Sequence, residues 1–534
     1  MSHSSTDEKD VSEISTRLAT ELIKEHPHGA DSLEVEEYGE YLALNEVFQG
    51  KKLTKMTVRG RFPFILHARS SVTKRKVDWH VLPILIWIYL LSYCDRGNVG
   101  NAKLFGATKD LHMTSQQWNT GLTLLFVTYA LGAPVSNLLV KRFGPRAVMP
   151  SSATLVGVVL LCAGLVKTKP QWYATRLLLG LVESAMYPAC TYTLTTWYTP
   201  AQIQSRMSVF YLGGVFSGAF SGLLAFGIGQ LDYTRGWRGW RWIFVIEGAF
   251  TAAVGIASYF LVQGNPATQG RWLSAEESRF ITLRSKYQYG DSHVGTSDKF
   301  TMAAFWAACR SFHTWILSFG FVCITLSIYG LSLSLPTIVL NMGFSAGRAQ
   351  ALSAPPYVFA VFSTVFAGWL ADRFRTRAFL VFGFGLMGFI GLLIAVLTVA
   401  HKHLVALSYV GVCLGAMGLY PLVPAFTAWI GLNSAGPTKR AAAMGIVVFF
   451  GNAGGIAGSN IYIANQAPTY KVGFGTSLAA TGVGALLVPI VYWFVIGRIN
   501  KKRENMSVDE ISAQYSTEEL QEMGDLSPLY RYER

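Results

Sequence analysis

The sequence predicts an all-α membrane protein of twelve transmembrane helices in two pseudo-symmetric bundles of six. Composition is the first ground: of 534 residues, 51% are hydrophobic and only 14% charged, against about 25% charged in an average soluble chain. Second, apolar runs long enough to cross a hydrocarbon core about 30 Å thick recur twelve times, with a polar break after the sixth. Third, the halves repeat. The basic turn KRFGPR after the second run is matched by DRFRTR after the eighth. Glycines spaced by four in the fifth run (Gly214, Gly218, Gly222) are matched in the eleventh (Gly451 with Gly455, Gly454 with Gly458). Both offsets are about 230 to 240 residues, six spans with their connectors, as duplicated bundles require.

Residues 1–76 are polar, acidic first (DSLEVEEYGEY) and then basic (GKKLTKMTVRGR, TKRK). They are expected to form a largely disordered cytosolic tail with room for one short amphipathic helix. The first apolar run starts near residue 81 with no small-residue cleavage site before it, which predicts a retained span, not a signal peptide. An N-terminal bundle, 77–263, holds runs at 81–104, 117–140, 147–167, 172–196, 207–230 and 242–263. The polar stretch 264–311 contains WLSAEESRFITLR, in which Ser274 and Glu277 are spaced for a capping box opening a short surface helix. It reads as a cytosolic connector. A C-terminal bundle, 312–497, holds runs at 312–336, 350–371, 377–399, 404–429, 442–464 and 474–497, and 498–534 is a second cytosolic tail. Basic residues flank the spans on one side, as in Lys74–Lys76, Lys141, Arg142, Lys439 and Arg440, which places both termini inside. The outer linker DYTRGWRGWR weakens that bias without reversing it.

The net charge of +14 is scattered over these loops, which points to a bilayer surface and not to nucleic acid. The six cysteines sit in or beside apolar runs without CxxC spacing and read as core thiols. His80 and His313 have no ligand-spaced partner, so no metal is expected. No GxxxxGK[ST] loop is present. An ion gradient is the remaining energy source, with no cofactor and no enzyme activity expected.

The run VLPILIWIYLLSYCDRGNVGNAK carries an acid and a base, Asp95 and Arg96, where hydrocarbon is expected. At about 1.5 Å per residue from Leu82, Asp95 lies roughly 20 Å into the core. Charge there is costly, and it marks a proton, ion or substrate path unless it is paired structurally. Neighbouring helical residues point about 100° apart, so the two are poorly placed to pair with each other. The functional reading gives Asp95 a proton and Arg96 an anion. The fourth run, RLLLGLVESAMYPA, places Arg176 and Glu183 two turns apart near one face. If that face lines the cavity, Glu183 is a second proton-carrying acid and Arg176 meets substrate; the alternative for either is a salt bridge that holds this helix to a neighbour. Asn452 of FFGNAGG is a candidate to orient a substrate carboxylate or to cap a kink. Tyr93 and Tyr129 offer hydroxyls to the same cavity or simply pack.

Taken together, these stretches resemble the major facilitator superfamily and, within it, the anion:cation symporter family. The fungal branch of allantoate, nicotinate and pantothenate permeases is the nearest match. The resemblance is carried by KVDWHVLPIL running into LLSYCDRGNVGNAK, by RLLLGLVESAMYP, by GWRWIFVIEG (Gly239 to Gly248), by APPY (Ala354 to Tyr357), by the Trp429 to Arg440 pattern and by DLSPLYRY. The superfamily's turn GxLaDRxGR is kept after the eighth span as Gly368, Leu370, Asp372 and Arg373, implying a gating motif. After the second span Asn137 and Lys141 replace its glycine and acid, and the fifth span lacks the proline associated with drug antiporters. The resemblance implies the major facilitator fold and proton-coupled uptake of a small organic anion. Asp95 and Glu183 would couple protons, and Arg96 and Arg176 would bind the anion. A monomer in the plasma membrane is expected, an internal membrane being the other location. The alternatives are a proton-antiport exporter of a metabolite or toxin and, more remotely, a nutrient receptor of the same fold.

Overall fold

A computed structural model describes residues 63–198, 200–266, 272–290, 302–374, 377–435, 437–506, 511, 514–515 and 523–533. Most of the expected N-terminal tail, residues 1–62, lies outside them. Among the described residues every regular element is helical. The first is α1 (Pro63–Leu104), then α2 (Ser115–Phe143), α3 (Pro145–Leu165), α4 (Lys169–Glu183), α5 (Met186–Trp197), α6 (Pro200–Gly229) and α7 (Gly239–Leu261). There follow α8 (Ala275–Gly290), α9 (Met302–Arg310), α10 (Phe312–Asn341), α11 (Ala346–Phe374), α12 (Arg377–Thr398), α13 (Val405–Leu419), α14 (Leu422–Leu432), α15 (Pro437–Ile461), α16 (Lys471–Thr481) and α17 (Val488–Glu504). Helix α1 begins at Pro63, so the last part of the expected tail is helix continuous with the first span.

Among the described residues eleven helical stretches are long and apolar enough to cross a bilayer. The fourth run of the sequence is in two pieces, α4 and α5, broken after Glu183. Pro188 explains the break: it has no N–H to offer the Ser184 carbonyl, and its ring crowds that oxygen. The freed turn is bound by side chains, with Ser184 Oγ donating to Leu181 O (2.6 Å) and meeting Ser136 Oγ (2.8 Å). In the last span Pro489 acts alike, and α16 passes into α17 through a π turn, Gly482–Leu487.

The described residues form two compact units. The larger takes in Ile86–Ala189, Met207–Tyr259 and Asp298–Arg534. Its helices approach closely where glycines allow it: a methyl group on Gly157 would meet the Ala252 backbone of α7, and one on Gly458 would come within 2.6 Å of the Leu326 carbonyl of α10. The repeated glycines serve two purposes. Gly454 and Gly458 bring α15 against the α10 backbone, whereas Gly214, Gly218, Gly451 and Gly455 seat the rings of Tyr89, Tyr357, Phe321 and Phe126. Outward-facing side chains such as Leu131, Leu138, Phe362 and Phe379 are more than 60% exposed, a surface suited to lipid. Of the cysteines, Cys94, Cys190 and Cys413 are buried and Cys162 is exposed.

Part of the second tail folds back within this unit. Asp525 pairs with Lys439 at 2.5 Å, Tyr530 Oη donates to Leu432 O at 2.6 Å, and Arg503 donates to the carbonyls of Tyr530 and Asp525. Asn433 and Asn500 bind the backbones of Glu533 and Tyr532 in both directions.

The smaller unit gathers the described residues of Met1–Leu85, Cys190–Arg206 and Phe260–Ser297. The capping box forms as expected, Ser274 N to Glu277 Oε2 at 3.0 Å and Glu277 N to Ser274 Oγ at 3.1 Å. Glu277 also pairs with Lys76 of α1 (3.1 Å), and Arg206 of α6 grips Asp78 with two nitrogens. Trp272 lies parallel to the His80 ring at 4.4 Å and stacks on Trp197, whose indole N–H donates to Gly264 O. The connector is thereby pinned to α1 and α5.

Candidate functional site

The interior of the larger unit holds four charged side chains, each at most 5% exposed: Asp95 and Arg96 on α1, Arg176 and Glu183 on α4. Asp95 and Arg96 do not pair with each other. Their side chains fan apart around α1, and α4 answers with residues whose Cα atoms are about 10 Å apart along its axis. The result is two crossed pairs. Arg176 Nη1 donates to both Asp95 oxygens (3.1 and 3.4 Å), and Arg96 Nη2 donates to Glu183 Oε1 at 2.8 Å.

The salt-bridge alternative given for Arg176 is the arrangement seen, and Glu183 shares it. The four charges cancel, as low-dielectric burial demands. Hydrogen-bonding capacity is left over, because Arg96 Nε, Arg176 Nε and Nη2, and Glu183 Oε2 have no partner among the described residues.

The two pairs differ in their surroundings. Arg176 is fully buried, its guanidinium 4.2 Å from the Trp172 ring centre and 5.3 Å from that of Phe244. Trp172 stacks in turn on Trp118 at 4.1 Å. This is a rigid, dry setting.

Arg96 sits among tyrosines. Its guanidinium lies 4.4 Å from the Tyr93 ring centre, 5.1 Å from Tyr129, 5.5 Å from Phe126 and 5.7 Å from Tyr329. Nη1 donates to Tyr329 Oη at 2.9 Å, and Ser92 Oγ supports Glu183 at 3.1 Å. Tyr93 and Tyr329 are only half-buried. Tyr89 continues the aromatic wall, 4.6 Å from Tyr93 and 4.2 Å from Phe210. One turn further along α1 a cleft opens, lined by Val99, Lys103, Asn119, Thr337, Ser459 and Tyr470.

The remaining candidates are more dispersed. Asn452 donates to Val448 O of its own helix at 2.9 Å. Its neighbour Gly455, one turn on, lies against Phe126 beneath Arg96. Gly368 is open on its side-chain face and Arg373 is exposed at the end of α11, while the Asp372 side chain lies outside the described residues. Among the described residues no group of three or more His, Cys, Asp or Glu is placed to hold a metal ion. Sequence reasoning missed Tyr329 and Ser92, since a hydroxyl on an apolar span gives no signal apart from packing. It also missed Glu247, paired with Asn98; an acid within IFVIEGAF was a signal of the same kind as Asp95.

Helices of bilayer-crossing length around a buried, charge-neutral set of ionisable groups define a membrane transporter of the alternating-bundle class. The sequence pattern of the Major Facilitator Superfamily matches residues 85–459. The chain belongs to that family. It is 37% identical over 509 residues to the MFS-type transporter cnsO of Penicillium expansum, covering 94% of this chain and 95% of that one. It is 30% identical over 440 residues to the high-affinity nicotinic acid transporter of Saccharomyces cerevisiae, with 82% and 80% covered. Its fold is similar to an inward-facing, unoccupied bacterial homolog of the human lysosomal transporter Spinster (TM-score 0.55, 18% identity, 84% and 90% covered). It is likewise similar to the E. coli xylose transporter XylE in a partially occluded inward-open form (TM-score 0.55, 13% identity, 78% and 97% covered).

Proposed function

We propose that this transporter takes up a small organic monocarboxylate together with a proton, as a member of the anion:cation symporter branch, across the plasma membrane with both termini in the cytosol. The observation that carries the reading is the Arg96 pair. Arg96 is the charge most open to exchange: two of the tyrosines around it, Tyr93 and Tyr329, are half-buried, and it is neutralised by a carboxylate, Glu183, that a substrate carboxylate resembles. In a buried site one guanidinium supports one carboxylate well. Protonating Glu183 releases Arg96, and the incoming carboxylate takes the vacated fork. Asp95, tied to Arg176, is the second group able to take a proton. The aromatic wall suits a flat or ring-bearing acid, in keeping with the relative named for nicotinic acid.

The test is uptake of labelled carboxylates, nicotinate among them, into cells or liposomes carrying the protein, with and without an inwardly directed proton gradient. Accumulation that rises with the gradient is expected, and Arg96→Ala should abolish it at normal surface expression. Uptake indifferent to the gradient overturns proton coupling. Uptake retained in Arg96→Ala removes that residue from substrate binding.

A further inference from the structure

Behind the two ion pairs α7 brings a third acid into the interior. Glu247 is 5% exposed and Asn98 of α1 is fully buried. Asn98 Nδ2 donates to Glu247 Oε2. The other oxygen of each group, Glu247 Oε1 and Asn98 Oδ1, has no hydrogen-bond partner among the described residues. No basic side chain pairs with Glu247 among those residues, although both other acids of the interior have an arginine.

An ionised Glu247 would be a buried charge without a counterion, beside an amide oxygen that also lacks a donor, and both conditions are costly. One proton removes both. As a carboxylic acid, Glu247 accepts from Asn98 Nδ2 through Oε2 and donates from Oε1 to Asn98 Oδ1, closing a ring of two hydrogen bonds between acid and amide. The surroundings favour this neutral form. On α1, Asp95 and the Cys94 thiol interact electrostatically with Glu247. An Asp95 carboxylate paired with Arg176 repels a second negative charge. Helix α3 meets α7 through Gly157 against Gly248 and Ala252, and α6 presents Ser217 and Ser221 toward Cys94 and Asn101, so neither adds an ionisable group. Arg176 of α4 lies over the Phe244 ring of α7 and spends its charge on Asp95.

We propose that Glu247 and Asn98 form a third proton-binding site in the membrane interior, a carboxylic acid held by a carboxamide, which keeps its proton while Asp95 is ionised. A proton arriving on Asp95 lifts the repulsion and makes Glu247 the next group able to ionise. That second consequence rests on the coupling role proposed for Asp95; the occupancy of Glu247 does not.

Infrared difference spectroscopy of the purified full-length protein at neutral pH tests it. The wild type should show a carboxylic-acid carbonyl band that is lost in Glu247→Gln and displaced in Asn98→Leu, where the ring opens. Glutamine reproduces the ring, its amide donating to Asn98 Oδ1 and its oxygen accepting from Nδ2, so Glu247→Gln should keep the wild-type melting temperature. A spectrum without that band overturns the proposal, because Glu247 is then ionised. A Glu247→Gln variant that fails to fold also overturns it, because the negative charge is then required. The band reads Glu247 alone, so its absence defeats this site whatever compound is carried, while absent carboxylate uptake defeats only the function proposed above.

Discussion

The Asp95–Arg176 pair makes the sharpest energetic prediction. Both side chains are at most 1% exposed, and Arg176 already leaves Nε and Nη2 without partners. Replacing Arg176 with glutamine removes the guanidinium that lies over Trp172 and strands the Asp95 carboxylate in the dry interior. Breaking a buried pair by removing one partner costs about 3–5 kcal/mol. Asp95→Asn should cost a similar amount, because it strands the guanidinium. The double variant removes both charges and leaves no stranded ion in the interior. Its loss should therefore fall short of the sum of the single losses by about 0.5–3 kcal/mol, the range for residues in one network. The assay is denaturation of the purified proteins followed by tryptophan fluorescence, with uptake measured in parallel. The double variant should lose less stability than the two single losses combined and should not transport, since neither amide titrates. Additive losses would refute the pairing and the argument built on it.

Two further outcomes follow from the same geometry. Glu183→Gln leaves Arg96 with a neutral oxygen acceptor, so the variant should bind and exchange carboxylate while losing accumulation against a gradient; gradient-driven accumulation with the wild-type pH profile would contradict the role of Glu183. In the folded-back tail, burial first and Asp525 second push the Tyr532 hydroxyl from the usual 10 up to about 12. The folded form holds that proton more tightly, so the contribution to docking is complete below pH 10 and fades as pH rises from 10 through 12. Protease cleavage near Tyr532 should accelerate across that window, and Tyr532→Phe should remove the pH step.

The spans were legible because hydrocarbon enforces long apolar runs, and Asp95 and Arg96 stood out for the same reason. The break after Glu183 was also written in the chain, as Pro188 four residues past Ser184, but a run of spanning length hides it until backbone hydrogen bonds are followed one by one. Pairing was only half legible. Seven-residue spacing put Arg176 and Glu183 on one face, yet which base met which acid depended on how α1 and α4 face each other, which no single-helix pattern encodes. The glycine repeats showed the same limit: spacing marked small residues at contacts, while Gly458 receiving a backbone and Gly218 receiving a tyrosine ring differ only in the helix opposite. Glu247 stands in GWRWIFVIEG, a stretch that carries the family resemblance, and its buried charge is the more informative feature.

Charge balance carries the argument to a stoichiometry. With Glu247 protonated, the interior set of Asp95, Arg96, Arg176 and Glu183 has no net charge, so the empty site can change sides without moving charge through a low-dielectric barrier. A monocarboxylate bound alone would leave one uncompensated negative charge, whose burial costs at least several kcal/mol. That cost slows reorientation of the anion-only form by a factor of ten for every 1.4 kcal/mol or so. A monocarboxylate bound with one proton restores neutrality and removes the penalty. Uptake of a monocarboxylate should therefore be electroneutral, one proton to each anion: liposomes carrying the protein should show initial rates that respond to an imposed pH difference and not to a potassium-diffusion potential. A dicarboxylate carried by the same site with one proton should respond to the potential, its entry slowed when the interior is negative. A monocarboxylate flux that tracks the potential at fixed pH would mean that a charged form crosses, and the neutral-set argument would then be wrong.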